Sequence, residues 1–126
     1  ASTQQLFEMP SAEVLSQLDD YWPGPVSVVL PAGQHVPVWV PQFEGTIAYR
    51  VPADAELIKL LNKTGPLLAP SANPQGERPA HSIEEAEAYF GNAVDFYVDS
   101  GQVGEHIRPS ELIKIDTNGV VKQLRR

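Results

Sequence analysis

Apolar and polar positions along the chain switch repeatedly between a helical and a strand period. Val14, Leu15 and Leu18 recur at helical spacing behind Ser11, a good N-cap, and Pro23-Gly24-Pro25 ends the run. Val26 to Leu30 reads as a short strand closed by Pro31. His35 to Val40 alternates weakly, and Pro37 demotes it to an edge strand or loop. Thr46 to Val51 is a second strand, with Thr46, Ala48 and Arg50 on one face and Ile47, Tyr49 and Val51 on the other. Asp54 caps a helix carrying Leu57, Ile58, Leu60 and Leu61 that ends near Gly65. Leu67 to Ala69 predicts a buried strand whose end opens into the polar loop Ser71-Ala72-Asn73.

Ser82-Ile83-Glu84-Glu85 has the capping-box pattern, and its helix runs through Tyr89 and Phe90 to Gly91. Phe96 to Val98 predicts another strand. Glu111 to Asp116 and Val120 to Leu124 flank Thr117-Asn118-Gly119, a hairpin signal. This order of elements predicts an α/β domain with a mixed sheet and an antiparallel pair at its end. Ligands of such sheets bind at the carboxyl ends of strands, so the loop after Ala69 is the first place to seek chemistry.

Length and composition narrow the function classes. A chain of 126 residues is expected to form one domain with a core of its own. The absence of cysteine excludes disulfides and thiolate metal sites and fits a reducing cytoplasm. No apolar run has membrane-spanning length, and no secretory signal pattern opens the sequence. Nine Lys and Arg stand against sixteen Asp and Glu, giving a net charge of −7. That balance disfavours tight binding to long RNA or DNA, which needs a basic stripe, but leaves small anionic ligands open.

Several residues could carry chemistry, each with a plainer alternative. Arg50 shares a strand face with Thr46 and could clamp a carboxylate or phosphate, although a solvent-facing edge arginine fits the same pattern. Ser71 and Asn73 place a hydroxyl and an amide two residues apart, where a turn would select the same residues. Ser110 could close over a ligand or cap a turn, and Lys122 could blunt an edge strand. His35, His81 and His106 show no zinc-site spacing, and no metal ligand set is predicted. The chain contains no serine-nucleophile elbow, P-loop or dinucleotide fingerprint.

The ordered set of motifs carries a resemblance. Tyr21-Trp22-Pro23-Gly24-Pro25-Val26-Ser27-Val28-Val29-Leu30-Pro31 is followed by Thr46 through Pro52. Then come Gly65 through Asn73, Gly76-Glu77-Arg78-Pro79-Ala80, Tyr89-Phe90-Gly91, Pro109-Ser110 and the terminal hairpin. From about Leu6 to Leu124 the chain resembles the YrdC-like family of L-threonylcarbamoyl-AMP synthases. The resemblance implies a twisted mixed sheet with flanking helices and an open concave face. It also implies a nucleotidyltransferase, converting L-threonine, bicarbonate or CO₂, and ATP, with Mg²⁺, into threonylcarbamoyl-AMP and pyrophosphate. The product passes to cytoplasmic proteins that build threonylcarbamoyladenosine in tRNA.

Carried over by motif, Arg50, Ala69 and Ser110 are expected at threonine, and Thr46, Ser71, Asn73, Pro79 and Lys122 at the nucleotide. Lys122 stands where the family often has an arginine, which keeps charge but loses the planar fork. No Lys-x-Arg, the family's phosphate clamp, occurs in the sequence. The chain therefore reads as a partial YrdC-like domain over residues 1–126, without the family's N-terminal portion, and an unpaired sheet edge would favour a homodimer. Two further readings stay open: a non-catalytic fragment or paralogue that binds nucleotide, threonine or RNA, and the related module of a hydrogenase-maturation carbamoyltransferase.

Overall fold

The computed structural model describes residues 11–99, 101, 110–116 and 118–125. The chain divides into two compact units, Ala1–Leu67 with Pro109–Arg126, and Leu68–Arg108.

The first unit is built on a four-stranded mixed sheet in the order β2-β1-β3-β4. β1 (Val26–Pro31) pairs antiparallel with β2 (Thr46–Tyr49) and parallel with β3 (Glu111–Ile115), which pairs antiparallel with β4 (Val121–Arg125). Helix α1 (Ala12–Leu18) is capped by Ser11, whose hydroxyl accepts from the Val14 amide, and it supplies Val14 and Leu18 to the core. These two side chains close over Val28, Leu30, Ile113 and Ile115, which share one sheet face because strand side chains alternate. Tyr49 packs at the margin of this cluster, and burial pushes its phenol above the usual value.

Turn chemistry sets the connections. Glu44 and Gly45 both have positive φ, 51° and 76°, the backbone that a two-residue hairpin turn selects between Phe43 and Thr46. In the second hairpin the Asp116 carboxylate accepts from the amides of Asn118 and Val120 at 2.9 Å each, and Gly119 takes φ 83°. Between α1 and β1 lies the turn around the cis Trp22-Pro23 bond, where the Trp22 indole donates to the Val26 carbonyl. Helix α2 (Ala55–Thr64) is capped by the Asp54 side chain on the Leu57 amide and ends at Gly65. It buries none of its residues.

Among its described residues the second unit contains α3 (Ile83–Phe90) and a 3₁₀ turn, Gly91–Ala93. The Ser82 hydroxyl accepts from the Glu85 amide as the capping box requires, but the Glu85 carboxylate takes the His81 amide instead of that of Ser82. Its arms thus reach one residue further back along the chain.

Three expectations need correction or refinement. Leu67 to Ala69 is not a strand and is not buried: Leu67 and Leu68 are 51% and 55% exposed. Phe96 to Val98 likewise forms no strand, with Phe96 and Val98 both 77% exposed. Apolar content gives each segment strand propensity, but a strand also needs a ladder neighbour, and no described residue pairs with either. Between His35 and Val40 the chain forms turns, since Pro37 offers no amide to a ladder.

Candidate functional site

The strand registers place several candidate residues on one surface. Val28, Leu30, Ile113 and Ile115 face α1, so the alternate positions of the same strands face away from it. On that far face lie Ser27 and Val29 of β1, Thr46 and Ala48 of β2, Leu112 and Lys114 of β3, and Lys122 of β4. Ser110 and Arg50 extend the β3 and β2 series by one step. Thr46, Arg50, Ser110 and Lys122, inferred separately from sequence, therefore share the face opposite α1.

Arg50 is held at one end and free at the other. Its Nε donates to the Gly24 carbonyl at 3.0 Å, while Nη1 and Nη2 have no partner among the described residues. The Gly24 amide in turn donates to the Val51 carbonyl at 2.8 Å, so the Pro23-Gly24-Pro25 turn fixes the arginine from both sides. Glycine is needed there: a Cβ on residue 24 would stand 2.9 Å from the Tyr21 carbonyl oxygen. The outcome is a planar, permanently charged fork with two donors to offer, suited to a carboxylate.

Ser110 is also anchored twice. Its hydroxyl lies 2.9 Å from that of Ser27, and its carbonyl accepts from Nη2 and Nε of Arg125 at 2.9 and 3.2 Å. Ser27 and Arg125 were not evident from the sequence; the register of β1 with β3 and of β3 with β4 was the missing signal. Thr46 differs from expectation in one respect, because its hydroxyl donates to the Phe43 carbonyl at 2.7 Å and only its lone pairs remain for a ligand. Lys122 is exposed and sits directly opposite Lys114.

The other unit carries Ala69, Ser71, Asn73 and Pro79 on one exposed segment. The Asn73 amide nitrogen donates back to the Ser71 carbonyl at 2.9 Å, and the Ala80 amide to the Ala72 carbonyl at 2.8 Å, which folds the segment on itself. Nδ2 of Asn73 donates to the Pro74 carbonyl, whereas its Oδ1 is buried with no partner among the described residues. An unmet buried acceptor costs free energy until a donor arrives. The Ser71 hydroxyl points to no described partner.

A polar brace ties this segment to α3. Nη2 of Arg78 meets the Glu85 carboxylate at 2.7 Å, the other Glu85 oxygen accepts from the His81 amide at 3.0 Å, and the Tyr89 hydroxyl donates to the Arg78 carbonyl at 2.9 Å. The His81 amide, followed by the Arg78 charge, holds the Glu85 carboxyl below the usual glutamate range. Beside the brace is a hollow of about 160 Å³ lined by Ala72, Ala80, His81, Ser82, Ile83 and Asp99, among others. Among the described residues no three His, Asp or Glu side chains gather to hold a metal ion, and no helix is long and apolar enough to cross a membrane. His106 lies outside the described residues.

Comparison with known proteins places the chain in a family. The Sua5/YciO/YrdC family model, described as "Telomere recombination", matches residues 1–126. The threonylcarbamoyl-AMP synthase of Marinobacter nauticus is 40% identical over 111 residues, covering 86% of this chain and 57% of that protein. That of Coxiella burnetii is 33% identical over 121 residues, covering 94% and 64%. The chain thus spans little more than half the length of such relatives. Among solved structures, P. abyssi Sua5 complexed with L-threonine superposes with a TM-score of 0.76 at 27% identity, over 89% of this chain and 33% of that one. The solution structure of MTH1692 from Methanobacterium thermoautotrophicum gives 0.70 at 29%, over 99% and 58%.

Proposed function

We propose that this chain, which belongs to the Sua5/YciO/YrdC family, supplies substrate-binding residues of a cytoplasmic threonylcarbamoyl-AMP synthase. The observation that carries the reading is the far face of the sheet, where Arg50, Ser110, Thr46 and Lys122 lie together on the side opposite α1. Relatives named as threonylcarbamoyl-AMP synthases and the likeness to a threonine-bound Sua5 support the choice of substrates.

In this reading the free Nη pair of Arg50 receives the threonine carboxylate, and the Ser110 hydroxyl, steadied by Ser27, contacts the same amino acid. Ala69 lines the threonine pocket through its backbone. Ser71, Asn73, Pro79, Thr46 and Lys122 serve the nucleotide. The unmet Asn73 Oδ1 is an acceptor for a ligand donor.

The threonine amine attacks CO₂, or bicarbonate with loss of water, to give a carbamate. A carbamate oxygen then attacks the α-phosphorus of ATP, and the bond to pyrophosphate breaks. No side chain has to become a covalent nucleophile. The protein's part is to hold anions in line while charge grows on phosphate oxygens, a task for fixed donors and cations. Such a transfer of an adenylyl group makes the enzyme a nucleotidyltransferase. Mg²⁺ would accompany ATP in a reaction of this class and neutralise phosphate charge. The product would pass to the proteins that modify tRNA.

The test is product formation by the full-length protein. With ATP, L-threonine and bicarbonate it is expected to release pyrophosphate and yield threonylcarbamoyl-AMP, detected by mass. Pyrophosphate release that is indifferent to threonine would refute the assignment.

A further inference from the structure

The far face of the sheet has a charge character opposite to that of the chain. The net charge is −7, with sixteen acidic residues against nine basic ones. Yet the strand positions on that face include Lys114, Lys122 and Arg125, which pairs in register with Leu112, and Arg50 lies one step past β2. None of the far-face positions in the four strands is Asp or Glu. Glu111 falls on the opposite parity, in register with Val26, and its carboxylate is engaged by the Gln123 amide at 2.6 Å.

Two of these cations are direct cross-strand neighbours. Lys114 of β3 and Lys122 of β4 are register partners, so their side chains leave the sheet side by side. Residues opposite each other across an antiparallel pair have Cβ atoms only about 4.5–5.5 Å apart, and like charges there destabilise the sheet. Surface lysines ordinarily find a carboxylate or open water, but here both are exposed and neither has an ion-pair partner among the described residues. An arrangement that weakens the empty protein is relieved by a ligand bearing more than one negative charge. The two donors lie on the same surface as the Ser27–Ser110 hydroxyl pair and the free end of Arg50.

We propose that Lys114 and Lys122 form a paired-lysine anion site that takes a phosphate group of the nucleotide, with Lys114 as a phosphate-binding residue in its own right. The proposal rests on the synthase reading for the identity of its ligand, while the anion site itself follows from the sheet register alone. Lysine suits the task, since a flexible ammonium can follow a phosphate without a fixed fork.

The experiment is calorimetric titration of the full-length protein with ATP, with L-threonine and with inorganic pyrophosphate, for wild type, Lys114→Ala and Lys114→Glu. ATP and pyrophosphate are expected to bind about threefold to tenfold more weakly to Lys114→Ala and still more weakly to Lys114→Glu, with threonine affinity within about twofold. The melting temperature of the ligand-free Lys114→Ala protein is expected to hold or rise, because the like-charge contact is gone. A residue of merely structural importance would lower it. If ATP and pyrophosphate bind all three proteins equally, the paired-lysine site is overturned and the synthase reading stands. If wild type binds pyrophosphate but neither ATP nor threonine, the synthase reading falls, and the loss or retention of pyrophosphate in Lys114→Glu alone decides the site. A wild type that binds no pyrophosphate and an ATP affinity unchanged by Lys114→Glu overturn it equally.

Discussion

Among the described residues the six that form the buried apolar core all belong to the sheet unit, whereas none of Leu68–Arg108 is buried. The sheet unit closes α1 over one face of β1 and β3, and no described helix packs on the other. The second unit has α3, two capping residues and a polar brace, and it leaves Leu68, Phe96 and Val98 exposed. The candidate binding residues are thus carried in two ways. Arg50 and Ser110 stand on a scaffold stabilised by apolar burial, whereas Ser71 and Asn73 are shaped by hydrogen bonds and turns. The first should be rigid without substrate, and the second should open at low free energy.

The largest test of this contrast is removal of core volume. Ile113→Ala, at a position only 2% exposed, is expected to cost about 2–5 kcal/mol. The loss would appear as a lower urea midpoint, with β1 and β3 amides exchanging faster. A loss below about 1 kcal/mol would show that the six-residue cluster does not dominate stability.

Smaller and local is the effect expected of Glu85→Gln. It removes the charge that meets Arg78 while keeping an acceptor for the His81 amide. Hydrogen exchange should quicken at Ala80 and His81 and stay unchanged in β1 and β3. Equal changes in both units would erase the distinction between them.

The smallest effect is in pH. Glu85 has a lowered carboxyl pKa, so it contributes order that is fully present above the ordinary glutamate value and is lost as pH falls through the lower folded-state value. Protection at Ala80 and His81 should accordingly be flat near neutrality and decline only in acid, below the range where a free glutamate titrates. Glu85→Gln should remove that decline. A decline centred nearer pH 6 would point to another group.

Much of the fold was legible because its signals are local. Ser11, Asp54 and Ser82 cap the helices that their positions announce, and Asn118-Gly119 closes a hairpin. The alternation through Thr46, Ala48 and Arg50 gave the correct face of β2 before any register was known. What failed depended on partners distant in sequence. Leu67 to Ala69 and Phe96 to Val98 have the composition of strands, but composition does not supply a neighbour. Lys114, Arg125 and Ser27 carry no local signal for the same reason, since only the pairing of β1 with β3 and of β3 with β4 brings them beside Ser110 and Lys122. Capping at Glu85 was read correctly in kind, while its reach to Arg78 needed three dimensions.

The central claim is that the face of the sheet opposite α1 binds threonine through the free end of a pinned Arg50, and titration of L-threonine into the full-length Arg50→Ala protein tests it most directly. Two charge-assisted hydrogen bonds are removed, each worth about 1.5–3 kcal/mol, so threonine affinity should fall at least about a hundredfold, with Arg50→Lys restoring only part of it. Threonine affinity in Arg50→Ala equal to that of wild type would contradict the account.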